Sequence, residues 1–413
     1  MRSLPQDDSL LIYAPVPVFR RDGQLYIERQ ALNGVRLWAA NFAFVTIMMP
    51  LDPGPPPVGW VPLPTGDKTL ERIAIEPLPM AYRPDQFLRH LTATRARICT
   101  LMASAQYLSF AIGGLFGDWG AVSCLEAHRL GRPFAVWTDR VESEVMRSAI
   151  GHGSWRHRLR ARLYHRPMAR LERRVIGKST LGLFHGHETF ESYAPFASNP
   201  HLVHDIHISV KDHISGEELS QKQAEANDGP HGDPLRICYV GRMDDMKGPL
   251  DWVDALGKLA AQNVAFEATW LGDGDLRSKM AARIDALGLT DRIHTPGFAD
   301  NREAVLEVLR QSQVFMFCHK TPESPRCLIE ALISGAVLVG YDGAFARDLT
   351  AGQDSGVFVP IGDVDGLAQQ VAALAANRRR LADLIGKAVQ DGAPFDDVSV
   401  FRHRSTLIKK YLC

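Results

Sequence analysis

Two carboxylates, Glu323 and Glu330, stand around the start of an expected helix in the segment Thr321–Gly343, TPESPRCLIEALISGAVLVGYDG. Ser324 is of the type that caps a helix N-terminus, and Pro325 suits the first helical position. An apolar run, Val314 to Cys318, precedes them and reads as a strand. The backbone N–H groups of Arg326, Cys327 and Leu328 would then point back toward the strand end and form an anion site, with roughly half a positive charge from the aligned peptide dipoles. Glu330, deeper in the helix, is placed to accept hydrogen bonds from hydroxyl groups of the same ligand. A phosphate on the helix end and hydroxyls on a carboxylate together imply a nucleotide-sugar site.

A second segment offers the complementary charges. Leu235 to Val240 (LRICYV) reads as a buried strand, followed by Gly241-Arg242-Met243-Asp244-Asp245-Met246-Lys247-Gly248. Glycine lets the chain turn tightly at the carboxyl end of a strand, the edge at which open parallel sheets bind ligands. Arg242 supplies a bidentate fork and Lys247 a point charge, two ways to neutralise a diphosphate. Trp270-Leu271-Gly272-Asp273-Gly274 is a further strand ending in glycines, and His319 and Lys320, immediately before the glutamate loop, are candidates to touch the donor phosphates.

The order Gly241-Arg242, Lys247-Gly248, Gly272-Asp273-Gly274, then Glu330-Ala331 with Gly335, resembles the retaining glycosyltransferases of the GT-B fold, in particular the large family 4. The resemblance covers about the last 170 residues well and the first half in outline. It implies an α/β fold of two facing Rossmann-like domains with parallel sheets, and a C-terminal helix crossing back to the first. By resemblance Gly241, Arg242, Lys247, Gly272 and Gly274 surround the donor diphosphate, Ser324, Arg326, Cys327 and Leu328 add the helix start, and Glu330 binds the donor ribose. Glu323 takes the role of the first glutamate, although six residues separate it from Glu330 where the family pattern has seven. Asp139, at the end of the strand before Arg140, falls where similar enzymes place a His or Asp facing the reacting sugar; N-cap of the helix starting near Glu142 is the competing reading. The implied reaction is transfer of a sugar from a nucleoside diphosphate sugar to an acceptor hydroxyl, with retention, no metal and no other cofactor, in polysaccharide or glycolipid synthesis. A non-catalytic GT-B protein that binds a nucleotide sugar or a partner chain is the alternative. A Rossmann oxidoreductase would need an early GxGxxG with an acid about 20 residues later, and that pair is absent.

Composition sets the wider bounds. A chain of 413 residues suits two domains, and 47 basic against 47 acidic side chains give no overall charge that argues for nucleic acid. None of the six cysteines forms a CxxC pair, so free thiols in a reducing compartment are expected rather than disulfides or zinc. The start lacks the basic-then-apolar pattern of a signal peptide, and no apolar run reaches the roughly 20 residues of a membrane span. A cytoplasmic location follows as the expectation. The expected division is an acceptor-side domain over 1–214, a polar linker over 215–234, a donor-binding domain over 235–395 and a returning helix over 396–413.

Two other stretches carry readings of their own. Trp155 to Arg174, WRHRLRARLYHRPMARLERR, combines arginines with Trp155, Leu159 and Leu163. It suits either peripheral contact with an anionic membrane or a solvated surface helix, and Pro167 argues against one continuous helix. His185-Gly186-His187-Glu188 has metal-binding residue types but follows a strand and opens a helix, so its side chains are not expected to converge. The single glycine of Arg20-Arg21-Asp22-Gly23 is the candidate for a turn facing the first-domain ligand.

Overall fold

The computed structural model describes residues 6–57, 59–64, 66–148, 150, 155–204, 206, 208–228, 233–299, 301–321 and 325–413. The chain divides into two compact units, Met1–His207 with Asp397–Cys413, and Ile208–Asp396.

The first unit is built on ten strands: β1 (Gln6–Tyr13), β2 (Val18–Arg21), β3 (Gln24–Glu28), β4 (Phe44–Asp52), β5 (Trp60–Pro62), β6 (Ile73–Pro79), β7 (Ala105–Ala111), β8 (Ala135–Thr138), β9 (Leu181–His185) and β10 (Pro200–Val203). Their order is β10-β9-β8-β7-β1-β4-β2-β3-β5, with β6 also paired to β4. The pairs from β10 through β1 to β4 and β6 are parallel, and β2, β3 and β5 add an antiparallel ribbon. Strands β7 and β9 are buried on both faces almost throughout, as parallel strands sandwiched between helices must be. Arg20 to Gly23 lie at a hairpin end rather than at a turn after the first strand. Asp22 and Gly23 both have positive φ and close the β2–β3 hairpin, the two-residue turn whose twist matches its strands.

The second unit carries six parallel strands: β11 (Leu235–Val240), β12 (Phe266–Leu271), β13 (Ile293–Gly297), β14 (Val314–Phe317), β15 (Val337–Tyr341) and β16 (Val357–Val359), in the order β13-β12-β11-β14-β15-β16. Strands β14 and β15 have no exposed position, which explains their uninterrupted apolar sequences.

Most of the expected linker over 215–234 is not a tether, and its residues 229–232 lie outside the described residues. Gly216–Asp228 is a helix of the second unit, which already begins at Ile208. Its sequence looks polar because its buried residues are few. Lys222 and Ala226 are buried, and Gln223 donates from Nε2 to the Ala382 carbonyl at 3.0 Å. The final helix, Asp397–Tyr411, belongs to the first unit. Phe401 meets Trp38 edge-on at 5.0 Å, Asn33 donates to Asp397 at 3.0 Å, and the buried Arg404 guanidinium lies over the Trp38, Trp137 and Phe401 rings. All six cysteines are free thiols. Among the described residues no helix is long and apolar enough to cross a membrane.

Candidate functional site

Strand order locates a crevice in each unit. In the second sheet β11, β12 and β13 run outward to one side and β14, β15 and β16 to the other, so the chain reverses between β11 and β14. Connections leaving neighbouring strands in opposite directions open a gap at their carboxyl ends, which is where such sheets bind ligands. Gly241-Arg242 leaves β11 at that point, and the helix Arg326–Ile333 follows β14.

The glycines shape this crevice by letting backbones touch. A Cβ on Gly272 would lie 2.0 Å from the Gly241 carbonyl oxygen, and one on Gly274 would lie 2.7 Å from the Met243 nitrogen. The two loops are stitched by the Met243 N–H donating to the Asp273 carbonyl at 2.9 Å. Gly248, in the left-handed region at φ 64°, packs so that a Cβ would meet the Cys318 carbonyl at 2.4 Å. Lys247 is thereby carried on a short 3-10 turn, Asp245–Lys247, against the end of β14, and its side chain is buried. Arg242 by contrast is exposed and pairs with Asp244 at 3.2 Å. His319 and Lys320, expected beside the phosphates, are otherwise engaged. His319 shares a 2.7 Å hydrogen bond with the Tyr239 hydroxyl, and Lys320 pairs with Asp251 at 3.0 Å. Burial first, then the Lys247 charge, pushes the His319 pKa down to about 3, so its imidazole is neutral.

The helix start differs in detail from its expectation. Pro325 is itself the N-cap, without a side-chain cap bond, and the helix begins at Arg326. Leu328 turns its N–H to the Pro325 carbonyl at 3.2 Å, so that donor already has a backbone acceptor. Glu323 and Ser324 lie outside the described residues. Glu330 is buried, and its Oε1 accepts from Arg302 Nη1 at 2.9 Å. Arg302 also grips Asp212, from Nε at 3.1 Å and Nη2 at 2.8 Å. Burial pulls the Arg302 pKa down, but Asp212 and Glu330 outweigh it and the net direction is up. Sequence reasoning passed over Arg302; its only signal is a position just after the strand-and-glycine run ending at Gly297.

The first unit has a corresponding gap. Its sheet reverses between β1 and β7, and a cavity of about 480 Å³ opens there, lined by Tyr13, Tyr82, Gly113, Gly114, Phe116, Asp118, Trp137, Thr138, Asp139, Arg140 and Glu142 among others. Asp139 is exposed on its rim and makes no hydrogen bond to another described residue, so the capping alternative gains no contact; Arg140 instead pairs with Glu142 at 2.6 Å. The floor is the turn Gly113–Gly120, which sequence reasoning missed although it holds four glycines after an apolar run. Asp118 organises it: one carboxylate oxygen accepts the N–H groups of Gly113 and Gly114 at 3.1 and 3.3 Å, the other that of Ala121 at 3.1 Å. Burial pushes its pKa up to about 6 against those hydrogen bonds. Gly120 is dictated by contact, since a Cβ there would sit 1.6 Å from the Ala111 carbonyl.

The His185 and His187 side chains do part company. His185 is buried and stacked on Trp137 at 5.5 Å, whereas His187 pairs with Glu191 one helical turn on. No group of three His, Cys, Asp or Glu that could hold a metal occurs among the described residues.

Comparison with known proteins agrees with this architecture. The 2-deoxystreptamine N-acetyl-D-glucosaminyltransferase of Streptomyces fradiae is 29% identical over 39% of this chain and 38% of its own length. The amylovoran biosynthesis glycosyltransferase AmsK of Erwinia amylovora is 29% identical over 33% of this chain and 34% of its own. The chain thus spans little more than a third of the length of these relatives. The crystal structure of Anabaena HepE in complex with UDP superimposes with a TM-score of 0.63 at 14% identity, covering 98% of this chain and 100% of that one, a likeness of fold alone. The chain has the GT-B fold, and its residues 220–391 match the glycosyl transferases group 1 family.

Proposed function

We propose that this protein is a retaining glycosyltransferase that moves a sugar from a nucleoside diphosphate sugar to an acceptor hydroxyl in polysaccharide or glycolipid synthesis. The observation that carries the reading is the convergence at the β11/β14 reversal of a buried lysine, an exposed arginine, a helix N-terminus and a buried carboxylate. As the bond from the anomeric carbon to the diphosphate breaks, negative charge grows on the departing oxygen. Lys247 and Arg242 supply fixed positive charge for it, and the N–H groups of Arg326 and Cys327 add the helix dipole. Glu330 binds the ribose. Glu323 remains the candidate for the donor sugar, and Asp139 the group facing the reacting sugar. No metal or further cofactor is required in this scheme, because the cations and the helix end do the electrostatic work. The named relatives are transferases, one of them in biosynthesis of amylovoran, which supports a transferase over a non-catalytic binder. Thermal shift with UDP, GDP and ADP and their sugar conjugates tests the reading: one base should raise the melting temperature, and Lys247→Ala should abolish the rise. No shift with any of them refutes it.

The acceptor is a glycan or is lipid-linked, and the helix Trp155–Ile176 supports the second form through peripheral contact with an anionic membrane from the cytoplasmic side. The helix runs unbroken through Pro167, contrary to expectation, because that residue sits on the exposed face where the bond it forfeits can be replaced by water. Trp155, Leu159 and Leu163 follow one another at single-turn spacing and are 69%, 49% and 60% exposed. Arg158, Arg160, Arg162, Arg166 and Arg170 surround them, while Ala161, Met168, Glu172 and Val175 face inward. Each arginine near an anionic surface contributes about 1 kcal/mol. Flotation with phosphatidylglycerol vesicles should carry the protein and phosphatidylcholine vesicles should not; equal behaviour of both refutes the contact.

A further inference from the structure

Glu330 does not stand alone in its crevice. Its Oε1 accepts from Arg302 Nη1 at 2.9 Å, and the other edge of the same guanidinium holds Asp212 Oδ2 at 3.1 and 2.8 Å. Asp212 is fixed in turn, because its carboxylate accepts the Ser209 N–H at 2.8 Å within a reciprocal cap. Arg302 is itself the first residue of a helix whose N-cap, Asn301, bonds the Glu303 N–H at 3.0 Å. Three separate backbone segments therefore converge on one planar fork. Among the described residues, Glu330 Oε2 accepts no hydrogen bond.

A carboxylate on a free rotor spreads its acceptor atoms over many orientations, and burying it without a partner is costly. A guanidinium fork removes both problems, since it fixes the carboxylate plane and satisfies one oxygen while leaving the other available. We propose that Arg302 is a positioning residue of the donor site, which holds Glu330 by one oxygen so that the other meets the ribose hydroxyls. Asp212 completes the device by anchoring the far edge of the guanidinium and cancelling its charge. The three groups together carry one negative charge, so the ribose end of the crevice accepts hydroxyl donors while the positive charge stays at Lys247 and Arg242, on the diphosphate. Lysine in place of Arg302 would keep the charge but lose the fork, and with it the link between Glu330 and Asp212.

The inference rests on the ribose role given to Glu330, and the test separates the two. Affinities of UDP, GDP and ADP are compared with those of their 2′-deoxy counterparts by calorimetry, in the wild type and in Arg302→Gln, Arg302→Lys and Asp212→Asn. The wild type should prefer its ribonucleotide at least about tenfold, the worth of a hydrogen bond to a charged group. Arg302→Gln should lower ribonucleotide affinity to the deoxynucleotide level, with deoxynucleotide and pyrophosphate affinities unchanged. Arg302→Lys and Asp212→Asn should fall between, which keeps the test open should the glutamine variant fold poorly. An Arg302 variant that preserves the ribose preference, or one that weakens ribo- and deoxynucleotides equally, overturns the positioning role. A wild type that binds both sugars alike removes the ribose role of Glu330 and Arg302 with it, whereas one that binds no nucleotide refutes the donor site as a whole.

Discussion

Lys222 should make the second unit gain stability as pH rises through neutrality. Its Nζ is fully buried and donates to the Leu309 carbonyl at 3.2 Å and the Ser334 carbonyl at 2.8 Å. Those carbonyls close the C-terminal ends of the helices Arg302–Gln311 and Arg326–Ile333, where backbone acceptors otherwise go unmatched. Burial is the largest influence on the amine and pushes its pKa down to about 7 from 10.5. The folded state therefore binds the proton less tightly than the unfolded chain, and stability increases with pH between about 7 and 10.5. With those two values, the penalty of folding around this group is about 4 kcal/mol at pH 7 and about 2 kcal/mol at pH 9. The neutral amine keeps two N–H donors, enough for both carbonyls, so the bonds survive deprotonation.

Lys222→Met removes the titration and leaves the two carbonyls without their amine, a cost of about 1–3 kcal/mol that does not depend on pH. Urea unfolding read by hydrogen exchange over residues 235–240 and 314–317 reports the second unit by itself. Relative to the variant, the wild type should gain about 2 kcal/mol between pH 7 and pH 9. Parallel pH profiles for the two proteins would show that the amine is not desolvated as its burial implies, and the reasoning would fall.

Asp118 should behave in the opposite sense. Its folded pKa, raised to about 6 from 3.8, gives stability that is present below pH 4 and lost as pH rises through 6, worth about 3 kcal/mol. Chemical denaturation of the first unit between pH 4 and pH 7 should show that loss in the wild type and not in Asp118→Asn. Gly272→Ala should destabilise the second unit by about 1–3 kcal/mol or more, because its methyl would collide with the Gly241 carbonyl, and should weaken the nucleotide-induced thermal shift at the same crevice. Asp139→Asn should lower transfer by about two to four orders of magnitude with the donor-induced thermal shift unchanged. Equal losses in both measurements would place Asp139 in folding or donor binding instead.

The two crevices were unequally legible. In the second unit Gly241 and Gly272 directly follow strand ends, and Gly272 and Gly274 are fixed by loop contacts, so their spacing shows in the sequence. The buried strands β11 and β14 announced themselves as apolar runs, since helices cover both their faces. In the first unit the turn Gly113–Gly120 has the same geometric logic, with Asp118 in place of a bound anion against its N–H groups. It is hard to locate from sequence because the sheet reversal there lies between β1 and β7, and the second of these emerges far along the chain. The Asp22-Gly23 dipeptide is a hairpin signal in the sequence, and the β2–β3 pairing shows that it closes one.

The helix Gly216–Asp228 shows where composition misleads about function as well as fold. Its polar sequence reads as a tether because one buried lysine counts as a surface residue in any average. Placed in the structure, that lysine bonds the ends of the helices that carry Arg302 and Glu330. The segment taken for a flexible joint is thus part of what fixes the crevice at the β11/β14 reversal. The strain of burying Lys222 is the cost of tying those helix ends to one point. Arg302 joins the same helices through side chains near the crevice, as Lys222 joins them through backbone carbonyls at their far ends. With both ends clamped, the carboxylate at Glu330 keeps its orientation without help from a ligand, and rigidity of that kind lets a buried polar group act as a preformed contact.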